Sequence, residues 1–252
     1  MTTGSEPEGA ETPAEAPGFE VRFYRATDRA AVRQICADTG FLGKPVDPLF
    51  EDRELFADYL TRYYTDWEPE STVVCLKEGI LQGYVMGSRF PQRKARFEAW
   101  HNGVLAAKGL WRYFTRPYNA ATRKYVKWVV TEGRRQTPFT PPGLPHFHIN
   151  LLPAARNVPN TKMMLNMMFA YLAKSGEKGV YGQMITFDHR RGERMFAKMG
   201  FRVIDQKEVT KYRDYYEGKI FLYTVVRDLT QNHEIYGLDF SRSLRPEKEP
   251  GE

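Results

Sequence analysis

Residues 146–201 read HFHINLLPAARNVPNTKMMLNMMFAYLAKSGEKGVYGQMITFDHRRGERMFAKMGF. The segment opens in alternation: His146, His148 and Asn150 fall on one face, Phe147, Ile149 and Leu151 on the other. A period of two predicts a strand, and Pro153 ends it. After a short turn, Met164, Leu165, Met168, Phe169 and Leu172, with Met163 and Met167 beside them, predict a helix from near Thr161 to about Lys174. Only Lys162, Asn166 and Lys174 interrupt its apolar surface, so it is expected to be covered on more than one side. Gly176 and Gly179 mark its exit, and residues 180–187 predict a second strand. Asp188 is placed to cap a second helix, which is expected to turn Met195, Phe196 and Met199 to one face and stop at Gly200 in a left-handed conformation. The order is strand, turn, helix, strand, helix.

The composition sets bounds around this unit. A hydrophobic content of 42% is ample for a core, and no apolar run is long enough to span a bilayer. Residues 1–18, MTTGSEPEGAETPAEAPG, lack the basic start and apolar centre of a secretion signal and have the composition of a disordered acidic tail. Residues 241–252 are again charged and proline-bearing, a flexible C-terminal tail. One domain over 19–240, in the cytoplasm, is the expectation. Cys36 and Cys75 lie in apolar-periodic segments; buried free thiols fit that compartment better than a disulfide. The net charge is +6, yet the first eighteen residues hold Glu6, Glu8, Glu11 and Glu15 and no Lys or Arg, so the remainder carries +10. Such a balance suits an anionic ligand, an anionic surface or nucleic acid alike.

Upstream of the central unit, 19–26 predicts a strand, followed by a helix capped at Thr27 or Asp28 that repeats Val32, Ile35, Cys36 and Thr39. A proline-bearing loop leads to a second helix presenting Leu55, Phe56, Tyr59, Leu60 and Tyr63. Residues 71–76 and 80–86 predict a hairpin turned at Lys77-Glu78-Gly79. Downstream, 202–210 and 219–227 predict another strand pair; IFLYTVV shows no alternation and is expected to be covered on both faces.

Between the two halves lies an insert of about 91–143, expected to form helices at 95–114 and 119–132 broken near Arg116-Pro117. Many Lys and Arg residues (Arg93, Lys94, Arg112 and Lys124 among them) face only Glu98 and Glu132, with Trp100, Trp111, Phe114 and Trp128 interleaved. An amphipathic pair with a solvated basic face accounts for this pattern. So does a surface for an anionic partner: a substrate, lipid headgroups or nucleic acid.

The central unit resembles the GNAT superfamily of acyl-CoA-dependent acyltransferases. Arg156-Asn157-Val158-Pro159-Asn160-Thr161 stands where that family carries its pyrophosphate loop, and Met199-Gly200-Phe201 matches the family's closing Gly-Phe. Within the superfamily, the His-x-His-x-Asn strand and the long insert look most like the acetyltransferase-like domains related to O-GlcNAc hydrolases. The resemblance implies an α/β (α+β) fold: a mixed, mostly antiparallel twisted sheet with helices on both faces. It also implies acetyl-CoA or another acyl-CoA as co-substrate and a small-molecule or protein amine as acceptor.

Site residues follow from the resemblance and from chemistry. A helix start after a strand offers unpartnered N–H groups and a positive dipole end to a diphosphate; Arg156, Asn157, Val158, Asn160, Thr161 and Lys162 would form that site. Pro159 and Thr161 replace the family's small residues, so the cradle is expected to be weakened or reshaped. The family's splayed strands would leave backbone groups for pantetheine, with the amide of Leu151 or Leu152 polarising the thioester carbonyl. His148 is the candidate base, with His146 and Asn150 on the same strand face. Asp188 and His189 occupy the turn where relatives touch pantetheine. Asn150 stands where the hydrolase-related group often has an acid, and Phe196 where the family often has a tyrosine. No metal site is indicated: His146 and His148 have no thiolate or clear carboxylate companion.

These departures keep a second reading open, a catalytically inactive GNAT-fold binding module whose basic insert holds an anionic partner. A third keeps the enzyme but lines a long acyl channel with the Met-rich helix. The oligomeric state and the identity of the acceptor are open at this level.

Overall fold

The computed structural model describes residues 18–187 and 189–230, and of residues 189–191 the backbone. The expected tails and the capping role of Asp188 thus fall almost entirely outside the described residues. Strands β1 (Phe19–Phe23), β2 (Thr72–Lys77), β3 (Ile80–Ser88), β4 (His146–Leu151), β5 (Gly179–Thr186), β6 (Arg202–Glu208) and β7 (Phe221–Asp228) form one sheet in the order β1-β2-β3-β4-β5-β7-β6. Every neighbouring pair is antiparallel except β4 and β5. Helices α1 (Arg29–Thr39), α2 (Arg53–Asp66), α3 (Pro91–Thr115) and α4 (Ala120–Thr131) precede β4; α5 (Val158–Lys174) joins β4 to β5, and α6 (His189–Lys198) joins β5 to β6.

Alternation along the strands makes the layers. Val73 and Cys75 point to one face of β2, where they join Val85, Phe147, Val225 and the α5 residues Met164, Met168 and Phe169. Val74 and Leu76 point to the other, with Tyr84, Met86, Ile35, Phe56 and Tyr64. Both faces are covered because α5 and α6 lie on one side and α1, α2 and α3 on the other. Between Thr161 and Ala173 no α5 residue is exposed, as its nearly continuous apolar surface requires. Met164 and Met168 are fully buried in this core, so those two methionines fill the interior and do not line a channel.

Local chemistry explains the turns. Glu78 and Gly79 have φ of +52° and +77°, the two left-handed positions of a tight hairpin between β2 and β3. Gly200 has φ of +74°, and the Arg227 guanidinium occupies the space a Cβ would need. Cys36 and Cys75 are both free and buried; burial pushes their thiols up to about 12 and about 11.

Several expectations are corrected. Helix α5 begins at Val158, three residues before the expected start near Thr161. Asn157 caps it through Asn160 N–H, and Pro159 sits in the first turn, where a missing N–H costs nothing. Asp28 does not cap α1: its carboxylate takes the Arg22 guanidinium at 2.8 and 2.9 Å and the Arg25 amide at 2.7 Å. Met195 is 49% exposed, while Phe196 is fully buried.

The insert's basic residues are partly consumed by the fold. Arg112 and the Tyr118 hydroxyl both reach Asp52, at 2.6 Å each, and Asp52 also caps α2 through Leu55 N–H. Burial works to raise the Asp52 pKa, but Tyr118, the Leu55 amide and Arg112 together hold it below the usual carboxylate range. Lys94 pairs with Glu98 and Lys124 with Asp214. Helices α3 and α4 are therefore pinned to α2 and to the segment after β6 as a wall over one face of the sheet.

Candidate active site

Strands β4 and β5 run parallel and pair at two positions only, His146↔Tyr181 and Phe147↔Gly182. β5 goes on pairing with β7 as far as Thr186↔Phe221, and β4 with β3 as far as Gly83↔Leu151. The sheet is thus open between residues 148–151 and residues 183–186. The expected splay is present, and the ladders on either side decide which groups face it.

The Leu152 amide donates to the Gln82 carbonyl at 2.9 Å. In an antiparallel ladder the backbone groups alternate in direction, so His148 and Asn150 turn theirs toward β3, and Ile149 and Leu151 turn theirs to the opposite edge. Of the two amides proposed for the thioester carbonyl, Leu151 faces the gap and Leu152 is committed to β3. On β5, Leu229 N–H donates to the Lys178 carbonyl and Tyr181 N–H to the Pro145 carbonyl, both at 2.9 Å. The same alternation aims Gln183 and Ile185 at the gap from its other side. A buried backbone donor without a partner is costly, so these two edges call for a hydrogen-bonding guest.

Side chains on the α2-facing side differ in how they are held. His146 Nδ1 and the Tyr64 hydroxyl hydrogen-bond at 3.0 Å, and the His146 ring lies 5.0 Å from that of Tyr181. Asn150 donates to the Thr39 hydroxyl, which itself donates to the Ile35 carbonyl at 2.6 Å. His148 Nε2, by contrast, is buried with no hydrogen-bond partner, and so is Gln183 Nε2 on the strand across the gap. Both atoms flank the opening, where a polar guest would give each a partner. Gln183 was missed from sequence, where it is one polar residue in a strand; only the register with β4 reveals it.

Burial, with Lys94 nearby, lowers His148 to about 4; burial, then Lys94 and His148, lowers His146 well below the ordinary histidine value. Both rings are neutral at pH 7. An unfolded histidine takes its proton near pH 6.5, so between there and about pH 4 the unfolded chain binds more protons than the folded one. Stability should therefore be complete above about pH 6.5 and decline toward pH 4, by up to about 1.4 kcal/mol per pH unit for each ring. Urea midpoints measured across that range should fall, and less steeply in His148→Gln; parallel slopes for the two proteins would contradict the assignment.

The anion site at the start of α5 is nearly self-satisfied. Asn160 N–H is held by Asn157 Oδ1 at 2.9 Å, Thr161 N–H by the Asn157 carbonyl at 3.1 Å, and Asn157 N–H by the Ala155 carbonyl at 2.8 Å. Pro159 has no N–H, so Val158 carries the one first-turn donor with no partner among the described residues. Thr161 Oγ1 donates back to the Asn157 carbonyl at 2.7 Å, and Asn160 is fully buried, its side chain turned toward the Ala155 carbonyl. Arg156 Nη2 donates to the Gly43 and Leu151 carbonyls at 2.8 and 3.0 Å, tying this turn to the α1–α2 loop. Lys162 is half-buried on the next turn. His189 begins α6, with its side chain outside the description.

No protein-family model matches the chain, and no curated protein matches it in sequence. Solved structures do match. SsHAT is 22% identical with a TM-score of 0.57, over 85% of this chain and 100% of that one. A GCN5-related N-acetyltransferase from Kribbella flavida is 14% identical with a TM-score of 0.49, over 84% and 98% of the two chains. A GNAT superfamily phosphinothricin acetyltransferase from Sinorhizobium meliloti, solved with acetyl-CoA, is 17% identical with a TM-score of 0.48, over 84% and 88%. At such identities the likeness is one of fold. The mixed seven-stranded sheet, opened between β4 and β5 and covered by helices on both faces, shares its fold with SsHAT.

Proposed function

We propose that this GNAT-fold chain is an acyl-CoA-dependent N-acyltransferase, with acetyl-CoA the first donor to test, in which an amine attacks the bound thioester directly. The observation that carries this reading is the opening between β4 and β5, edged by inward-facing backbone groups and flanked by the unpartnered His148 Nε2 and Gln183 Nε2. A pantetheine arm is a chain of amides ending in a thioester, and such a guest supplies partners along both edges. The Leu151 N–H then lies where the thioester carbonyl gains negative charge.

His148 takes a proton in this scheme. A base with a pKa of about 4 is too weak to deprotonate a ground-state ammonium; it takes the proton as the C–N bond forms, when the nitrogen of the adduct is more acidic than the free ammonium. The amine therefore has to arrive neutral. The new C–N bond forms, the C–S bond breaks, and the electron pair leaves on sulfur. Phe196 offers no acid to the leaving thiolate, which departs without one because a thiol is more acidic than the ammonium of a typical amine. The hydrolase-related group's use of an acid gains no support from Asn150, which is bonded to Thr39.

Binding of the diphosphate requires Asn157 Oδ1 to release Asn160 N–H. A charge-assisted hydrogen bond replaces a neutral one, so the exchange is favourable in sign though smaller than at an uncapped helix start. Acetyl-CoA at a hundredfold excess over its dissociation constant should add about 2.7 kcal/mol, or roughly 5–10 °C in melting temperature. Free thiol should then appear on addition of an amine. The self-capped start of α5 favours a second reading, a binding module without chemistry. The same measurement divides the two: no stabilisation by acetyl-CoA, longer acyl-CoAs or free CoA sinks the transferase.

A further inference from the structure

On the same sheet face as His148, the insert helices border a half-open cavity of about 850 Å³. Its walls come from α2 (Leu55, Tyr59), from α3 and α4 (Leu105, Val126) and from the sheet (Ile185, Leu222). Ile185 belongs to the stretch of β5 that has parted from β4, so the cavity adjoins the opening proposed for the thioester. The lining is mostly aliphatic and aromatic, with Arg134, Gln136, Thr137 and Lys211 as its polar members. Lys211 reaches it from the turn after β6, with Nζ 5.7, 5.2 and 4.9 Å from the ring centroids of Tyr125, Trp128 and Tyr212.

No Asp or Glu pairs with this ammonium among the described residues, and burial alone lowers it to about 8. Three π faces compensate this partly buried cation only in part. A desolvated positive charge left without a counter-ion is expensive, and proteins keep such groups where a ligand completes them. At pH 7 the group is still predominantly protonated, a positive charge beside Arg134 on a mostly apolar wall.

From this arrangement we infer that the acceptor is an amphipathic amine, with a bulky aromatic or branched aliphatic body seated in the cavity and a carboxylate paired with Lys211. Small polar amines and polyamines are disfavoured, having no apolar area to bury and the wrong charge for Lys211. The inference rests on the acyltransferase reading for the word acceptor, but the binding site does not: the cavity and its cation would hold an apolar carboxylate whether or not transfer occurs.

The test uses the full chain and two near-isosteric probes, 4-phenylbutanoate and 4-phenylbutanamide, titrated calorimetrically without CoA. The acid is expected to bind at least about tenfold more tightly than the amide. In Lys211→Met that preference should vanish while amide affinity holds within about twofold. On the wild type alone, the preference should shrink as pH rises through about 8, where the ammonium discharges; this arm needs no substitution and survives a variant that fails to fold. With acetyl-CoA present, phenylalanine should release thiol faster than phenylalaninamide, and both faster than spermidine. Equal binding of acid and amide, no binding of either, or preference for spermidine overturns the inference. So does a decanoyl-CoA that binds the wild type far more tightly than acetyl-CoA and displaces 4-phenylbutanoate, since the cavity would then belong to the acyl chain. Failure of acetyl-CoA to bind, with the phenylbutanoate preference intact, removes the transferase and leaves the carboxylate site standing.

Discussion

Replacing His148 with glutamine is expected to lower kcat for acyl transfer by about 10²- to 10⁴-fold, the range for loss of a positioned base, with little change in the KM for acetyl-CoA. His148 faces the opening, its Nε2 has no partner, and neither neighbour on its face is free in the same way. Tyr64 holds His146 and Thr39 holds Asn150, so those two shape the wall while His148 is left to act. Glutamine keeps a hydrogen-bonding group in the strand but cannot carry the proton. In the wild type, kcat should not follow an ordinary histidine titration: with His148 at about 4, the base stays available from pH 8 down to pH 5. The acceptor's own ammonium should dominate the pH dependence of kcat/KM, which rises as the free amine is formed. Steady-state rates of thiol release across that range read both features. A variant within threefold of wild type, or a wild-type profile breaking near pH 6.5, would remove His148 as the base.

Phe147→Ala should cost about 3–5 kcal/mol, the loss typical of deleting a fully buried phenylalanine. The ring is 2% exposed, stacks on Phe201 at 5.6 Å and meets Phe169 edge-on at 5.7 Å. It also presses on Gly182, where an added Cβ would come within 2.5 Å of it. Phe147↔Gly182 is the last paired position before β4 and β5 separate. The ring is therefore both core and pivot: it ties α5 and the turn after α6 to the point from which the strands diverge. Urea denaturation should show the loss as a lower midpoint with an unchanged slope. Acetyl-CoA binding should weaken as well, because the angle of opening is set there. A loss below 1 kcal/mol would mean that neighbouring side chains collapse into the space and the pivot lies elsewhere.

The departures from expectation have local and long-range causes. Asn157 and Pro159 mark a helix start as clearly as they mark a departure from a glycine-rich loop, and the structure adopts the helix from Val158. Asp28 looks like a cap until Arg22, six residues back at the end of β1, claims it. The basic insert looks like an uncompensated patch until Asp52 and Asp214 are brought against it. The last case turns on partners 60 and 90 positions away in the chain, which propensity and spacing do not encode.

What residue order determined by itself was local and periodic. The alternation of 146–151, the apolar surface of α5, the hairpin at Glu78-Gly79, the stop at Gly200 and the two insert helices all follow from neighbours within a few positions. Their order was enough for the mixed, mostly antiparallel sheet covered by helices on both faces. The tertiary structure alone decided that β4 and β5 part after Phe147, that Leu151 and not Leu152 faces the gap, and that Gln183 stands across from His148. It alone placed Lys211 among three aromatic rings on the wall of a half-open cavity. The physical reason is that a strand's pleat is dictated by its own side chains, whereas the direction of its free hydrogen bonds and the counter-charge of a buried ion depend on which distant segments are packed beside it.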